Sequence, residues 1–231
     1  MIRAIFLDID DTLLSFDGYV REAMKSGFEA FGIAPFEEGM LSVFHQVNSE
    51  LWHRIEAGEL SFGELLKIRW NLVFQALGLQ GDGEKFEAYF RDRLFYSAIP
   101  VEGAKELLDY LHGKYILCAA SNGPYHQQVN RLKEGRMLDF FDHLFISEEI
   151  GFSKPSREFF HACMQRLNEG RAEPISAKDV MVIGDSLSSD IAGGIGSGMQ
   201  TVYFNPRQKE IPSEVKPNFT VGTLKEIEEI L

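Results

Sequence analysis

The stretch Ile5-Phe6-Leu7-Asp8-Ile9-Asp10-Asp11-Thr12-Leu13 decides how the chain is read. A short apolar run beginning at Ala4 rises straight into three carboxylates within four residues. Such crowding costs stability through mutual repulsion unless a cation answers it. Side chains alternate along a strand, so Asp8 and Asp10 address the same side at its end. Hard oxygen ligands favour magnesium over softer metals. An acidic turn that caps a helix is the alternative reading of this string alone.

Four further apolar runs share the character of Ala4–Leu7: 115–120, 143–147, 180–183 and 201–204. They are continuous rather than alternating, as strands buried on both faces should be. Helical periods fall between them near 101–112, 125–134, 157–167 and 189–197, with a last helix after Thr223, where Thr223 and Glu226 fit a capping box. The alternation predicts an α/β fold, with a parallel sheet between helices. The exception is 16–95, which shows helical periods and no convincing strand. Ser61 and Glu64 make a capping box there, Leu65, Ile68, Leu72 and Ala76 follow at helical spacing, and Gly78 supplies a stop. This block holds both tryptophans and ten of the nineteen phenylalanines, so it must carry its own core. A βαβ crossover needs only about a dozen residues. The expected organisation is therefore a Rossmann-like core, 1–15 and 96–231, with an inserted all-helical domain, 16–95.

Of 231 residues, 45% are hydrophobic and 25% charged, an ordinary globular balance. The net charge of −12 disfavours a nucleic-acid polymer and an anionic membrane surface as partners. Cys118 and Cys163 lack any zinc spacing and read as buried thiols. Asp8 arrives too soon for the apolar region of a secretory signal, and no run approaches the ~18 residues of a membrane span. A cytoplasmic location is the expectation.

Chemistry-bearing groups recur at strand ends. Gly184-Asp185-Ser186-Leu187-Ser188-Ser189-Asp190 follows the run 180–183. Ligands of open α/β sheets bind beyond the carboxyl ends of the strands, so Asp8 and Asp185 can share one ion. Asp190 reads equally as part of a metal site or as a charge in a helix's first turn. Gly193, Gly194, Gly196 and Gly198 fall late in a helix, where close packing and a stop explain them better than a phosphate loop. Ser121-Asn122-Gly123 offers a hydroxyl, an amide and backbone N–H groups just before a helix, a natural phosphate cradle. Lys154 lies beyond another strand end.

In this order the pieces resemble the haloacid dehalogenase superfamily, whose signature is DxDxT, a Ser or Thr, a Lys, then GDxxxD. Here these are Asp8-Ile9-Asp10-Asp11-Thr12, Ser121, Lys154, and Gly184-Asp185 with Asp190. The helical insert resembles the small cap domain of one subgroup. Within it, Ser15-Phe16-Asp17, the segment Val47 to Trp52, Ser121-Asn122-Gly123 and the segment Ile146 to Gly151 look most like the YjjG-type pyrimidine 5'-nucleotidases.

The resemblance implies a magnesium-dependent phosphomonoester hydrolase that works through an aspartyl-phosphate. Asp8 would be the nucleophile and Asp10 the acid and base, their environments holding the two carboxyls apart in acidity. Asp8, the Asp10 backbone carbonyl and Asp185 would hold the ion. Ser121, the Asn122 N–H and Lys154 would bind the phosphoryl oxygens. Dehalogenation expels halide, which needs no proton, and Asp10 speaks against it. A sugar-phosphate phosphatase, a phosphomutase and a non-enzymatic binding protein on this fold stay open as alternatives. A pyrimidine nucleoside monophosphate is the expected small phosphorylated partner. Phe16, Asn48 and Trp52 are candidates for reading the leaving group, since an aromatic face stacks on a base and an amide reads its edge. At helical spacing such aromatics are more often core.

Overall fold

The computed structural model describes residues 1–231. The chain divides into two compact units, Met1–Ser15 with Ala98–Leu231, and Phe16–Ser97. The return boundary thus lies at 97/98 rather than 95/96. No helix is long and apolar enough to cross a membrane.

The larger unit begins with β1 (Ala4–Leu7). The helical unit follows, with α1 (Phe16–Ala30), α2 (Gly39–Glu56), α3 (Phe62–Leu77) and α4 (Gly83–Tyr96). The larger unit then resumes with α5 (Ala104–Leu111), β2 (Ile116–Ser121), α6 (Tyr125–Glu134), β3 (His143–Ile146), α7 (Ser147–Ile150), α8 (Arg157–Asn168), β4 (Val180–Gly184), α9 (Ala192–Gly196), β5 (Gln200–Phe204) and β6 (Phe219–Val221). All six strands are parallel, in the order β3-β2-β1-β4-β5-β6. The chain runs outward from β1 in one direction, then restarts on β1's other side with β4. That reversal is the switch point at which open α/β sheets place ligands.

Alternation along the strands sorts the core into two layers. Ile5, Leu7, Leu117, Ala119, Met181 and Ile183 pack with Leu107, Leu108 and Leu111 of α5 on one face. Ala4, Phe6, Cys118, Ala120, Val180 and Val182 pack with Phe159, Phe160, Cys163 and Leu167 of α8 on the other. Both faces are covered, which explains the unbroken apolar runs. Both cysteines are buried free thiols. The capping box at Thr223 forms, though it opens a 3-10 helix, Leu224–Glu229.

The expected helix over 189–197 is two pieces: a π turn, Leu187–Ile191, then α9. The Ile191 N–H reaches back five residues to the Ser186 carbonyl. Gly193 and Gly194 serve close packing, as expected. A Cβ at Gly193 would lie 2.3 Å from Phe160, and one at Gly194 would lie 2.7 Å from Thr201.

In the helical unit, Ser61 and Glu64 close their capping box on α3, and Gly78 ends that helix in the left-handed region. The buried stripe differs from the expected one. Leu65 is inside, but Leu72 is exposed, and Arg69, Trp70, Val73 and Phe74 are buried instead. Aromatic area decides the phase: Trp70 and Phe74 pack against Phe86 and remove far more apolar surface from water than Leu72 and Ala76 could.

Arg69 goes inside because Glu87 of α4 meets it. Its Nε donates to Glu87 Oε2 at 3.0 Å and its Nη2 to Oε1 at 2.6 Å, while the guanidinium lies 4.8 Å from the Phe90 ring centroid. Breaking a buried pair leaves an uncompensated charge. Glu87→Ala should therefore cost about 3–5 kcal/mol in denaturant unfolding, whereas the double change Arg69→Met with Glu87→Leu should cost far less. Equal losses in the two proteins would show that the pair's charge is not what matters.

Candidate active site

Asp8 directly follows β1, with its N–H bonded to the Ile183 carbonyl of β4 at 2.9 Å, so the strand pairing itself places it. Its carboxylate is buried and accepts from Lys154 Nζ at 2.6 Å. The same ammonium donates to the Ala120 carbonyl and to Asp190 Oδ1, both at 2.6 Å. An ammonium has three donors, and all three are engaged. Lys154, only 2% exposed, is held at its backbone too: its N–H donates to Asn122 Oδ1 and its carbonyl accepts from Asn122 Nδ2, each at 2.8 Å.

Asp190 reaches Lys154 because of the π turn, which tucks its side chain under β4, where it also accepts from the Ser186 N–H at 3.1 Å. The tuck requires Gly184. A Cβ there would lie 2.2 Å from Asp190 Oδ2.

Two carboxylates, those of Asp8 and Asp190, thus share one ammonium. Burial pushes the Asp8 carboxyl up to about 7 against the pull of Lys154, with Asp190 and Asp10 adding to the rise. Burial also raises Asp185 well above the carboxylate range, reinforced by Asp8, Asp190 and Asp11, against the pull of Lys209. Burial opposes the charge on Lys154, but Asp190 and Asp8 more than offset it and hold its pKa above the ordinary value. Negative charge at Asp8 and Asp185 is therefore undercompensated. One oxygen from each of Asp8, Asp185 and Asp190 lies within 4.8 Å of the others. The acceptors of Lys154 do not include Asp185. A hard divalent cation fits this all-oxygen donor set. The expected ion site paired Asp8 and Asp185 with the Asp10 carbonyl; the carboxylate cluster also includes Asp190, which the sequence left open between a metal site and a helix's first turn.

Asp10 lies just beyond, its side chain 33% exposed. Its Oδ2 accepts from Gln128 Nε2 at 2.7 Å, and its Oδ1 accepts from Arg131 Nη1. Gln128 Nε2 also donates to Ser121 Oγ at 2.7 Å. Asp8, Asp10, Ser121, Lys154, Asp185 and Asp190 therefore gather at the carboxyl ends of the strands.

The phosphate cradle is more occupied than the sequence suggests. The Asn122 amide is bound to the Lys154 backbone, the Gly123 N–H donates to Ser147 Oγ at 3.0 Å, and the Tyr125 N–H donates to Glu148 Oε2 at 2.7 Å. Neighbouring protein oxygens thus hold groups that looked open to a ligand.

Gln128 and Arg131 are the site residues that sequence reading missed. Their signal is weak: two polar residues in phase with the buried Leu132 on α6. In the helical unit, Phe16 packs against Tyr19, Phe44 and Phe90, Trp52 against Phe62, and Asn48 Oδ1 accepts from Arg69 Nη1 at 3.1 Å. Each is half-buried, so the two rings serve that unit's packing, and the Asn48 amide oxygen is fixed within it.

A family model described as haloacid dehalogenase-like hydrolase matches residues 2–198. The HAD-hydrolase YfnB of Bacillus subtilis (strain 168) is 31% identical over 229 residues, spanning 99% of this chain and 95% of that protein. The crystal structure of YfnB bound to magnesium is similar with a TM-score of 0.89 at 30% identity, covering 100% of this chain and 98% of that one. Pyrimidine 5'-nucleotidase YjjG of Escherichia coli (strain K12) is 30% identical over 228 residues, 98% of this chain and 96% of that protein. Pyrimidine 5'-nucleotidase PynA of Streptococcus pneumoniae (strain ATCC BAA-255 / R6) is 28% identical over 226 residues, 97% and 93% respectively. A match of this reach, on a chain whose motif side chains gather at one end of the sheet, makes the protein a member of the haloacid dehalogenase-like hydrolases.

Proposed function

We propose that the protein hydrolyses phosphomonoesters through a phosphorylated Asp8, with pyrimidine nucleoside 5'-monophosphates as the substrate class. The observation that carries the hydrolase reading is the pairing of Asp8, fixed by Lys154 in the buried cluster, with a second carboxylate, Asp10, that stays partly exposed. Asp8 attacks phosphorus as the ester P–O bond breaks, and the proton of Asp10 passes to the departing oxygen. Water then attacks the phosphoryl group as the Asp8–phosphorus bond breaks, and its proton returns to Asp10. Ser121 and the Asn122 N–H bind phosphoryl oxygens. Lys154, whose donors the protein already engages, acts through its charge and by holding Asp8 in place, and it contacts a phosphoryl oxygen only by exchanging one of its three acceptors. Asp8 and Asp185, with the Asp10 carbonyl, would hold magnesium, which when bound screens the phosphate from its anionic nucleophile.

The substrate class rests on the two nucleotidases among the relatives, which match nearly the whole chain. A rate panel of nucleotides and sugar phosphates tests the class. Pyrimidine nucleotides should lead in kcat/KM by about tenfold or more, the discrimination a few base contacts provide. A leading sugar phosphate would overturn the class and leave the hydrolase. Glucose 6-phosphate formed from β-glucose 1-phosphate, with no free phosphate, would select the mutase.

A further inference from the structure

We propose that Gln128 and Arg131 are positioning residues that aim both the Asp10 carboxylate and the Ser121 hydroxyl. The inference rests on the reading of Asp10 as the proton-transferring group. Both side chains are 1% exposed on α6, a helix whose buried face otherwise carries Leu132. Burying a guanidinium costs several kcal/mol unless a partner answers it. Packing alone would be served better by an apolar side chain. Arg131 instead reaches outward from the interior to Asp10, whose carboxylate stands at the partly exposed end of the contact.

The bonds link three side chains to Asp10 and to one another. Arg131 Nη1 donates to Asp10 Oδ1 and also, at 2.9 Å, to Gln128 Oε1. The second bond fixes which way the Gln128 amide faces. Its two N–H donors then have one acceptor each, Asp10 Oδ2 and Ser121 Oγ, both at 2.7 Å. A single planar NH2 group therefore sets the spacing between the proton-transferring carboxylate and the phosphate-binding hydroxyl. Two consequences follow for the reaction. A carboxylate oxygen has two lone-pair directions, and the clamp takes one on each, so the proton must come and go along those that remain. Ser121 Oγ accepts from Gln128, which frees its own O–H to donate to a phosphoryl oxygen. A displacement of about 1 Å at such a group can cost 10²-fold in rate.

The test compares two leaving groups. An alkoxide needs the proton of Asp10 to depart, whereas p-nitrophenolate leaves without one. For Gln128→Leu and Arg131→Met, kcat/KM on uridine 5'-monophosphate should fall about 10- to 100-fold, and on p-nitrophenyl phosphate by much less. β-Glycerophosphate replaces the nucleotide if the nucleotide does not turn over. Arg131→Lys, which keeps a donor, should recover part of the loss. Because the two esters are assayed on one preparation, a smaller folded fraction lowers both rates equally and leaves their ratio unchanged. Should Arg131→Met give no folded protein, Gln128→Leu and Arg131→Lys decide. Equal losses on the two esters would overturn the aiming of Asp10, and no loss on either would overturn the inference whole, provided Asp10→Asn itself shows the leaving-group bias. If Asp10→Asn shows no bias, it is the acid role of Asp10 that fails.

Discussion

Asp8→Asn yields a folded protein whose phosphatase turnover is at least about 10⁴-fold below that of the parent, the scale on which loss of a nucleophile registers. The substitution keeps the shape of the side chain and removes its capacity to attack phosphorus. The fold should tolerate it well. Lys154 keeps Asp190 and the Ala120 carbonyl as acceptors, and the cluster loses one of its undercompensated charges. Burial raises Asp8 to about 7. A carboxyl so raised contributes stability that is fully present below the ordinary carboxylate range and is lost as the pH rises through about 7. In metal-free protein at pH 8, Asp8→Asn should therefore melt no lower than the parent. Phosphate release from an alkyl ester and a thermal melt measure the two quantities on the same sample. Substantial residual turnover would remove Asp8 from the nucleophile's place.

Chelation has the second large effect. EDTA should bring turnover below detection, and added magnesium should restore it. The ion would be held by carboxylates that must be ionised to bind it. Its affinity should therefore weaken as the pH falls below about 7, where Asp8 takes up its proton, and Asp185 should follow in the same direction. Magnesium should also raise the melting temperature, and by more at pH 8 than at pH 6. Full activity in EDTA would contradict an ion shared between Asp8 and Asp185.

Much of this molecule is legible in sequence because burial on both faces leaves an unmistakable mark. β1 lies over the residues expected, and β2 to β5 differ from expectation by a residue at one end or both. β6 escaped notice: it has three residues at the sheet's edge, and Phe219 is exposed, so no apolar run forms. The π turn is equally silent, since a five-residue hydrogen bond leaves no trace in a pattern of period 3.6. The harder omissions are buried polar residues. Gln128 and Arg131 share the face of α6 that carries Leu132, and nothing near them in the chain explains two polar side chains there; their partner, Asp10, lies 118 and 121 positions away. Arg69 was invisible for the same reason, since its counter-charge, Glu87, lies 18 positions away on another helix. Motif spelling finds groups that touch a ligand. It does not find the groups that hold them.

The contact between positions 184 and 190 bears on how such a chain can drift. The carboxylate of Asp190 fills the volume that any larger residue at 184 would claim. The two sites are therefore inherited as a pair. A descendant that gained even an alanine at 184 would have to evict the acid at 190, and with it a counter-ion of the lysine beside Asp8. Variation at that glycine is closed off by crowding alone, before any demand of chemistry is considered.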